Sequence, residues 1–321
     1  MSEKTQEWLS NRLGRHWPSI KKRTSDRLSE RLHSLAQRLI AAKQQVFNST
    51  HGPISYWETV KEPGQETIVF LHGFGDSKHS FYPSAIYLAK HYHIIVPDLP
   101  GFGDSFKALH LRYDNAAYSQ WIQEWLDYVG VGKFHLVGNS LGGGLSLALS
   151  LDCPQRIKSL SVIDPGGIPL EGPPSLYQEI FAGRNIFSIS SREEFEYFLS
   201  RVFHRRYYIP WPIKENLYRV FLDHSDWYQM LLDHLLEGIT GFDDPEISSK
   251  AFNGRLGEID IPTLVLWGEH DSFFPVETAE YMGKQIKNSQ VHIFKDVGHS
   301  PQIEVPRSFS AVYRRFLMGL S

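Results

Sequence analysis

Apolar positions along the first fifty residues repeat every three or four places. Leu28, Leu32, Leu35, Leu39, Ala42 and Val46 form one series, and Leu9, Leu13, Trp17 and Ile20 a shorter one that Pro18 interrupts. Each series lays an apolar stripe along one side of a helix, so helix is expected across residues 1–47. The stretch NSTHGP, residues 48–53, breaks the pattern with Gly52 and Pro53.

Beyond that break the period shortens. ISYWETV (54–60) alternates like a strand. TIVFL (67–71), HIIVP (93–97), FHLVG (134–138), SLSVI (159–163), TLVLWG (263–268) and VHIF (291–294) are short apolar runs rich in β-branched residues. Runs of this length suit strands covered on both faces, as in a parallel sheet between helices. Helical stretches such as NAAYSQWIQEWLDYV (115–129) separate several of them. That alternation predicts an α/β fold.

The strand signal lapses over residues 168–257, which read as mainly helical. Sixteen of these ninety residues are Phe, Tyr or Trp. They predict a small helical subdomain with an aromatic core, some of whose rings line an apolar pocket. The expected organisation is an N-terminal amphipathic arm (1–50), an α/β core in two parts (51–167 and 258–321) and an inserted helical cap (168–257).

Composition narrows the function. A chain of 321 residues accommodates one large domain with an insertion, and a net charge of −3 is ordinary for a globular protein. The charge is uneven. Residues 1–50 hold ten Lys and Arg against four Asp and Glu, a local +6 that leaves −9 on the remainder. Basic residues are thus concentrated in the arm and not around a catalytic groove, which argues against a nucleic-acid substrate. The single cysteine, Cys153, allows no intrachain disulfide and fits a reducing compartment. There is no 18-residue apolar stretch and no secretory apolar segment at the N-terminus. A cytoplasmic location is expected. The Leu28–Val46 stripe needs cover, and two forms of it are open. One is docking on the protein's own body or a partner helix. The other is peripheral contact with a membrane, favoured by the basic charge and by Trp8 and Trp17 near IKKR (20–23).

The pentapeptide GFGDS occurs twice, at Gly73–Ser77 and Gly101–Ser105. A dinucleotide loop would need a third glycine where Lys78 and Phe106 stand, and no G-x-x-x-x-G-K-[ST] is present. The flanks do not match as a repeat would. These are turns at strand ends.

The chemistry centres on HLVGNSLGGG (135–144), which contains Gly138-Asn139-Ser140-Leu141-Gly142. A G-x-S-x-G between a strand and a helix is a nucleophile elbow, a tight turn that needs small residues two before and two after the serine. Ser140 is the candidate nucleophile. It needs a base and an acid to orient that base, in the chain order Ser, Asp or Glu, His. Asp271 follows the strand TLVLWG, and His299 follows VHIF. Asp164, at the end of SLSVID, is the rival acid; Asp296 is closer to His299 in sequence but is expected on the loop. An oxyanion needs two backbone N–H donors. Leu141, after the nucleophile, supplies one. Phe74, in the first GFGDS, supplies the other. The second copy is expected to contribute shape only. The remaining histidines show no metal-ligand spacing, and neither metal nor cofactor is expected.

Together HGFG, PDLPGFGDS, GNSLGG, GEHD and GHSPQIEVP resemble the α/β-hydrolase superfamily across residues 54–321. Within it the chain looks most like bacterial lipases and esterases akin to membrane-associated monoacylglycerol lipases. The resemblance implies an α/β-hydrolase fold and hydrolysis of carboxylic esters, lipid-derived, through an acyl-enzyme on Ser140. DPGG and GRLGEI…WG also resemble serine hydrolases that cleave C–C bonds in ring-fission products. That group has GGPGA after the first strand and Trp after the catalytic His, where this chain has GFGDS and Ser300. A non-catalytic binding module on the same fold is the third reading.

Overall fold

The computed structural model describes residues 24–170, 175–204, 207–237, 239, 241 and 251–320. The stripe from Leu9 to Ile20, Trp8 and the IKKR run lie outside the described residues.

A helix, α1 (Thr24–Leu39), opens the described chain, followed by β1 (Ala42–Ser49) and β2 (Gly52–Thr59). Then come β3 (Thr67–Leu71), α2 (Tyr82–Leu88), β4 (His93–Pro97), α3 (Asn115–Tyr128), β5 (Phe134–Asn139), α4 (Leu141–Asp152) and β6 (Ile157–Ile163). Four helices follow among the described residues: α5 (Leu176–Phe181), α6 (Arg192–Val202), α7 (Trp211–Asp223) and α8 (Ser225–Leu235). The chain then returns through β7 (Thr263–Gly268), α9 (Glu277–Gln285), β8 (Ser289–Phe294), α10 (Pro301–Glu304) and α11 (Pro306–Met318). One eight-stranded sheet results, in the order β1-β2-β4-β3-β5-β6-β7-β8. β1 pairs antiparallel with β2 and β2 with β4, and every later pairing is parallel.

The apolar runs are strands because helices cover both faces of the sheet. All residues of β3 and β4 are buried. Successive side chains alternate between faces. Val69 and Leu71 of β3 join a core with Trp121 and Trp125 of α3 and the cap aromatics. Ile68 and Phe70 join the opposite core with Tyr82 and Leu88 of α2 and Phe309 and Tyr313 of α11.

The arm departs from expectation. Helix stops at Leu39, and residues 42–47, predicted helical, form most of strand β1 instead. Ala41 takes a φ of 52°, and β1 pairs along its length with β2 around a turn at Thr50 and His51. Only Phe47 of β1 is buried, so this edge strand carries no alternation to read. Val46 continued the helical phase by coincidence, and pairing with β2 overrode it.

The helix docks on the body, but not by its leucine stripe. Asp26 forms an ion pair with Arg219 of α7 and accepts from Asn216 Nδ2 at 3.2 Å. Ser29 is buried, and His33 stacks on His79 with ring centroids 3.9 Å apart. Leu32, Leu35 and Leu39 remain 36%, 54% and 67% exposed. Helix α1 therefore joins the cap to the core while its apolar stripe faces outward.

Candidate active site

Ser140 sits between β5 and α4 with φ 54° and ψ −116°. The flanking glycines are required by crowding. A β-carbon on Gly138 would lie 2.0 Å from the Gly142 carbonyl oxygen, and one on Gly142 would lie 2.1 Å from that of Leu71. The Ser140 amide donates to Ile163 O at 2.9 Å, and its carbonyl accepts from Gly144 and Gly166, both at 3.0 Å. These bonds hold a strained backbone in place. Leu141 opens α4, where first-turn N–H groups have no intrahelical acceptor. The loop of Phe74 lies alongside, since a β-carbon on Gly73 would come 3.2 Å from Ser140 Cβ.

Asp271 and His299 lie on the turns after β7 and β8. His299 Nδ1 is 2.9 Å from Asp271 Oδ2, and both residues are 4% exposed. The second carboxylate oxygen of Asp271 accepts from the Phe273 amide at 2.8 Å. A β-carbon on Gly268 would lie 1.9 Å from Gly298 O, so the two turns touch. The His299 ring packs on Phe273 and Phe274, with centroids at 4.6 and 5.5 Å. Its amide donates to Val202 O of the cap at 2.9 Å.

Asn139 ties the serine turn to the histidine turn. Its Nδ2 donates to Ile163 O at 3.1 Å and to His299 O at 3.2 Å. Nothing in the sequence marked this residue beyond its place inside the motif. The rival acid Asp164 is fully buried, and one of its carboxyl oxygens lies within 4.8 Å of a carboxylate oxygen of Asp271 and a ring nitrogen of His299. Burial, then the Asp271 charge, holds the Asp164 carboxyl well above the usual range. Asp296 points elsewhere, exposed on the surface beside His204 and His270.

The two GFGDS turns differ in what they hold. His72 Nε2 accepts from the Leu99 amide at 2.9 Å, so Nδ1 carries the proton and donates to Gly73 O at 2.8 Å. That fixes the carbonyl preceding Phe74. In the second copy, Gly101 O accepts from Trp227 Nε1 of the cap at 2.8 Å. The second turn anchors the cap, a role beyond the shape alone that was expected.

Ser140, Leu141 and Phe74 line one cavity of about 120 Å³ under the cap. Leu232 and Leu235 of α8 and Phe274 also line it, and among the described residues none of the lining is charged. A mostly parallel sheet that turns into a helix at a strained serine, with an Asp–His pair at neighbouring strand ends, defines the α/β-hydrolase class. Residues 66–306 match the family described as alpha/beta hydrolase fold, and the chain belongs to it.

Among its relatives is "Lipase 3" of Moraxella sp. (strain TA144), 33% identical over 79% of this chain and 78% of that one. Another is a 2-hydroxy-6-oxononadienedioate/2-hydroxy-6-oxononatrienedioate hydrolase of Cupriavidus pinatubonensis (strain JMP 134 / LMG 1197), 30% identical over 79% and 87%. A solved structure titled a membrane phospholipase A, a bacterial virulence factor, superposes with TM-score 0.84 at 25% identity over 99% of each chain.

Proposed function

We propose that the protein is a serine hydrolase of lipid-derived carboxylic esters. The observation that carries this reading is the strained Ser140 on an aromatic-lined cavity whose described lining residues are uncharged. Ser140 Oγ attacks the ester carbonyl, and its proton passes to His299 Nε2. Asp271 orients the imidazole and stabilises the imidazolium. The Phe74 and Leu141 amides hold the oxyanion. The alcohol leaves with the proton from His299. Water, deprotonated by His299, then attacks the acyl-enzyme, releasing the acid and freeing Ser140.

The relative named a lipase supports this class of substrate. The Cupriavidus relative supports C–C bond hydrolysis as a second reading, and its named substrate is a dicarboxylate. The cavity disfavours that reading, because no lining residue among those described offers a cation to a carboxylate. The outward stripe of α1 and the local +6 of residues 1–50 support peripheral seating on an anionic lipid surface.

The test combines labelling and turnover. A fluorophosphonate should form one adduct, on Ser140. Ser140→Ala should fold and lose about 10⁴-fold or more in kcat. A monoacylglycerol should be hydrolysed faster than a vinylogous 1,5-diketone acid. An active Ser140→Ala variant would sink the assignment, and the reverse substrate order would select the C–C reading.

A further inference from the structure

We propose that Asp164 is a positioning residue held as the neutral carboxylic acid, whose proton is donated to the Asp271 carboxylate and fixes it against His299. The inference rests on the assignment of Asp271 and His299 above.

The geometry leaves Asp164 few alternatives. Its side chain is fully buried at the end of β6. Oδ1 accepts from the Gly268 amide at 2.9 Å. Oδ2 is buried and meets no N–H or O–H donor among the described residues. Instead one carboxyl oxygen of Asp164, one of Asp271 and a ring nitrogen of His299 lie within 4.8 Å of one another, so the two carboxyls are direct neighbours. Two ionised carboxylates are acceptors only and cannot bond to each other. One must carry a proton, as in any buried carboxyl pair.

The environment decides which. Asp271 faces the His299 ring through Oδ2 and the Phe273 amide through Oδ1. Asp164 has one amide donor and no cation. The charged and titratable groups facing it are Asp271, His299 and, from α10, Glu304. Both carboxylates nearby disfavour ionisation of Asp164. Its backbone φ of 45° at a non-glycine residue shows that the surroundings fix this conformation. The donated hydrogen bond has a use in turnover. It would add to the Phe273 amide in holding the Asp271 carboxylate against His299 Nδ1.

Infrared spectroscopy and kinetics test this separately. At about pH 8 the wild type should show the C=O stretch of a protonated carboxylic acid that is missing from Asp164→Asn. Asparagine keeps a neutral N–H donor toward Asp271 and an acceptor for Gly268. Asp164→Asn should therefore keep kcat within about threefold, with the acid limb of kcat/KM unmoved. Asp164→Ala keeps neither group and should lose about tenfold or more in kcat at similar KM. If Asp164 is instead ionised, the infrared band will be absent. Asp164→Asn would then remove a negative charge beside His299 and move the acid limb down by about one pH unit. Equal kinetics for the Ala and Asn variants would also overturn the proposal. Asp271→Asn is the control: full activity in that variant refutes the triad itself, whereas the infrared result stands apart from it.

Discussion

Lys78 Nζ lies 2.5 Å from Asp98 Oδ2, and neither side chain is exposed. Lys78 follows the first GFGDS turn and Asp98 precedes the second. The same carboxylate accepts from the Lys78 amide at 2.7 Å and the Asp104 amide at 2.8 Å. Lys78 also reaches Asp104 Oδ2 at 2.8 Å. The twin turns are thus joined by one buried charge set beneath the Phe74 loop. Lys78→Met should leave Asp98 as an unpaired buried charge and destabilise the protein by about 3–5 kcal/mol. Urea unfolding measures this. A loss under about 1 kcal/mol, the range of a surface pair, would show that Asp98 is satisfied without the lysine.

The cavity should set acyl preference. Among the described residues its lining is apolar except for Asn115, Ser140 and Tyr177. Each buried methylene contributes about 0.8 kcal/mol, so kcat/KM on p-nitrophenyl esters should rise about fourfold per carbon from the shortest chain until the cavity is full. Leu235→Trp should shorten the optimum. A steady fall of kcat/KM with chain length in the wild type would mean that the acyl group binds elsewhere.

Docking of α1 should weaken in acid. Burial, then the Lys78 charge, lowers the His33 pKa from 6.5 to about 4, and burial lowers that of its stacking partner His79 well below its usual value. In the unfolded chain these rings protonate near their ordinary value. The unfolded state therefore binds more protons between about pH 6.5 and 4, and stability is lost as pH falls through that window. For His33 alone the loss between about pH 7 and 5 is on the order of 2 kcal/mol. Denaturant titrations at both pH values give the difference. His33→Gln should flatten it, and an unchanged slope in that variant would assign the acid sensitivity to other groups.

Membrane seating is tested by sedimentation with anionic liposomes at low salt. The full chain should co-sediment. Leu32→Ser/Leu35→Ser/Leu39→Ser should not, and added salt should release the full chain. A truncation at residue 50 is unsuitable, because it removes β1 and bares the edge of β2. A variant beginning at Thr24 preserves the sheet and isolates the basic segment. It should bind more weakly while retaining activity on a short soluble ester. Equal sedimentation of the wild type and the triple serine variant would remove the stripe from the interaction.

Much of the fold was legible because burial on both faces leaves a strong local signal. TIVFL, HIIVP and TLVLWG match β3, β4 and β7 residue for residue. The serine turn was legible for a steric reason: only glycine fits where Gly138 and Gly142 meet the Gly142 and Leu71 carbonyls. The edge strand β1 was not, since one buried ring in eight residues makes no pattern. Nor was the docking face of α1. Its buried side is made of Asp26, Ser29 and His33, residues that read as solvent-facing until their partners Arg219 and His79 are placed. Asp164 showed itself only as a second carboxylate at a strand end, and its burial against Asp271 depends on tertiary contacts alone.

The clasp between Asp26 and Arg219 spans 193 positions of the chain. A ribosome makes the first partner long before the second. At about 5–20 residues per second the interval is roughly 10–40 s. Throughout it α1 has neither its ion pair nor the cap surface it rests on, and its leucines face whatever the emerging chain meets. Strands β3 to β6 are all synthesised within that interval. The helix meets His79 early in that interval and Arg219 only at its end.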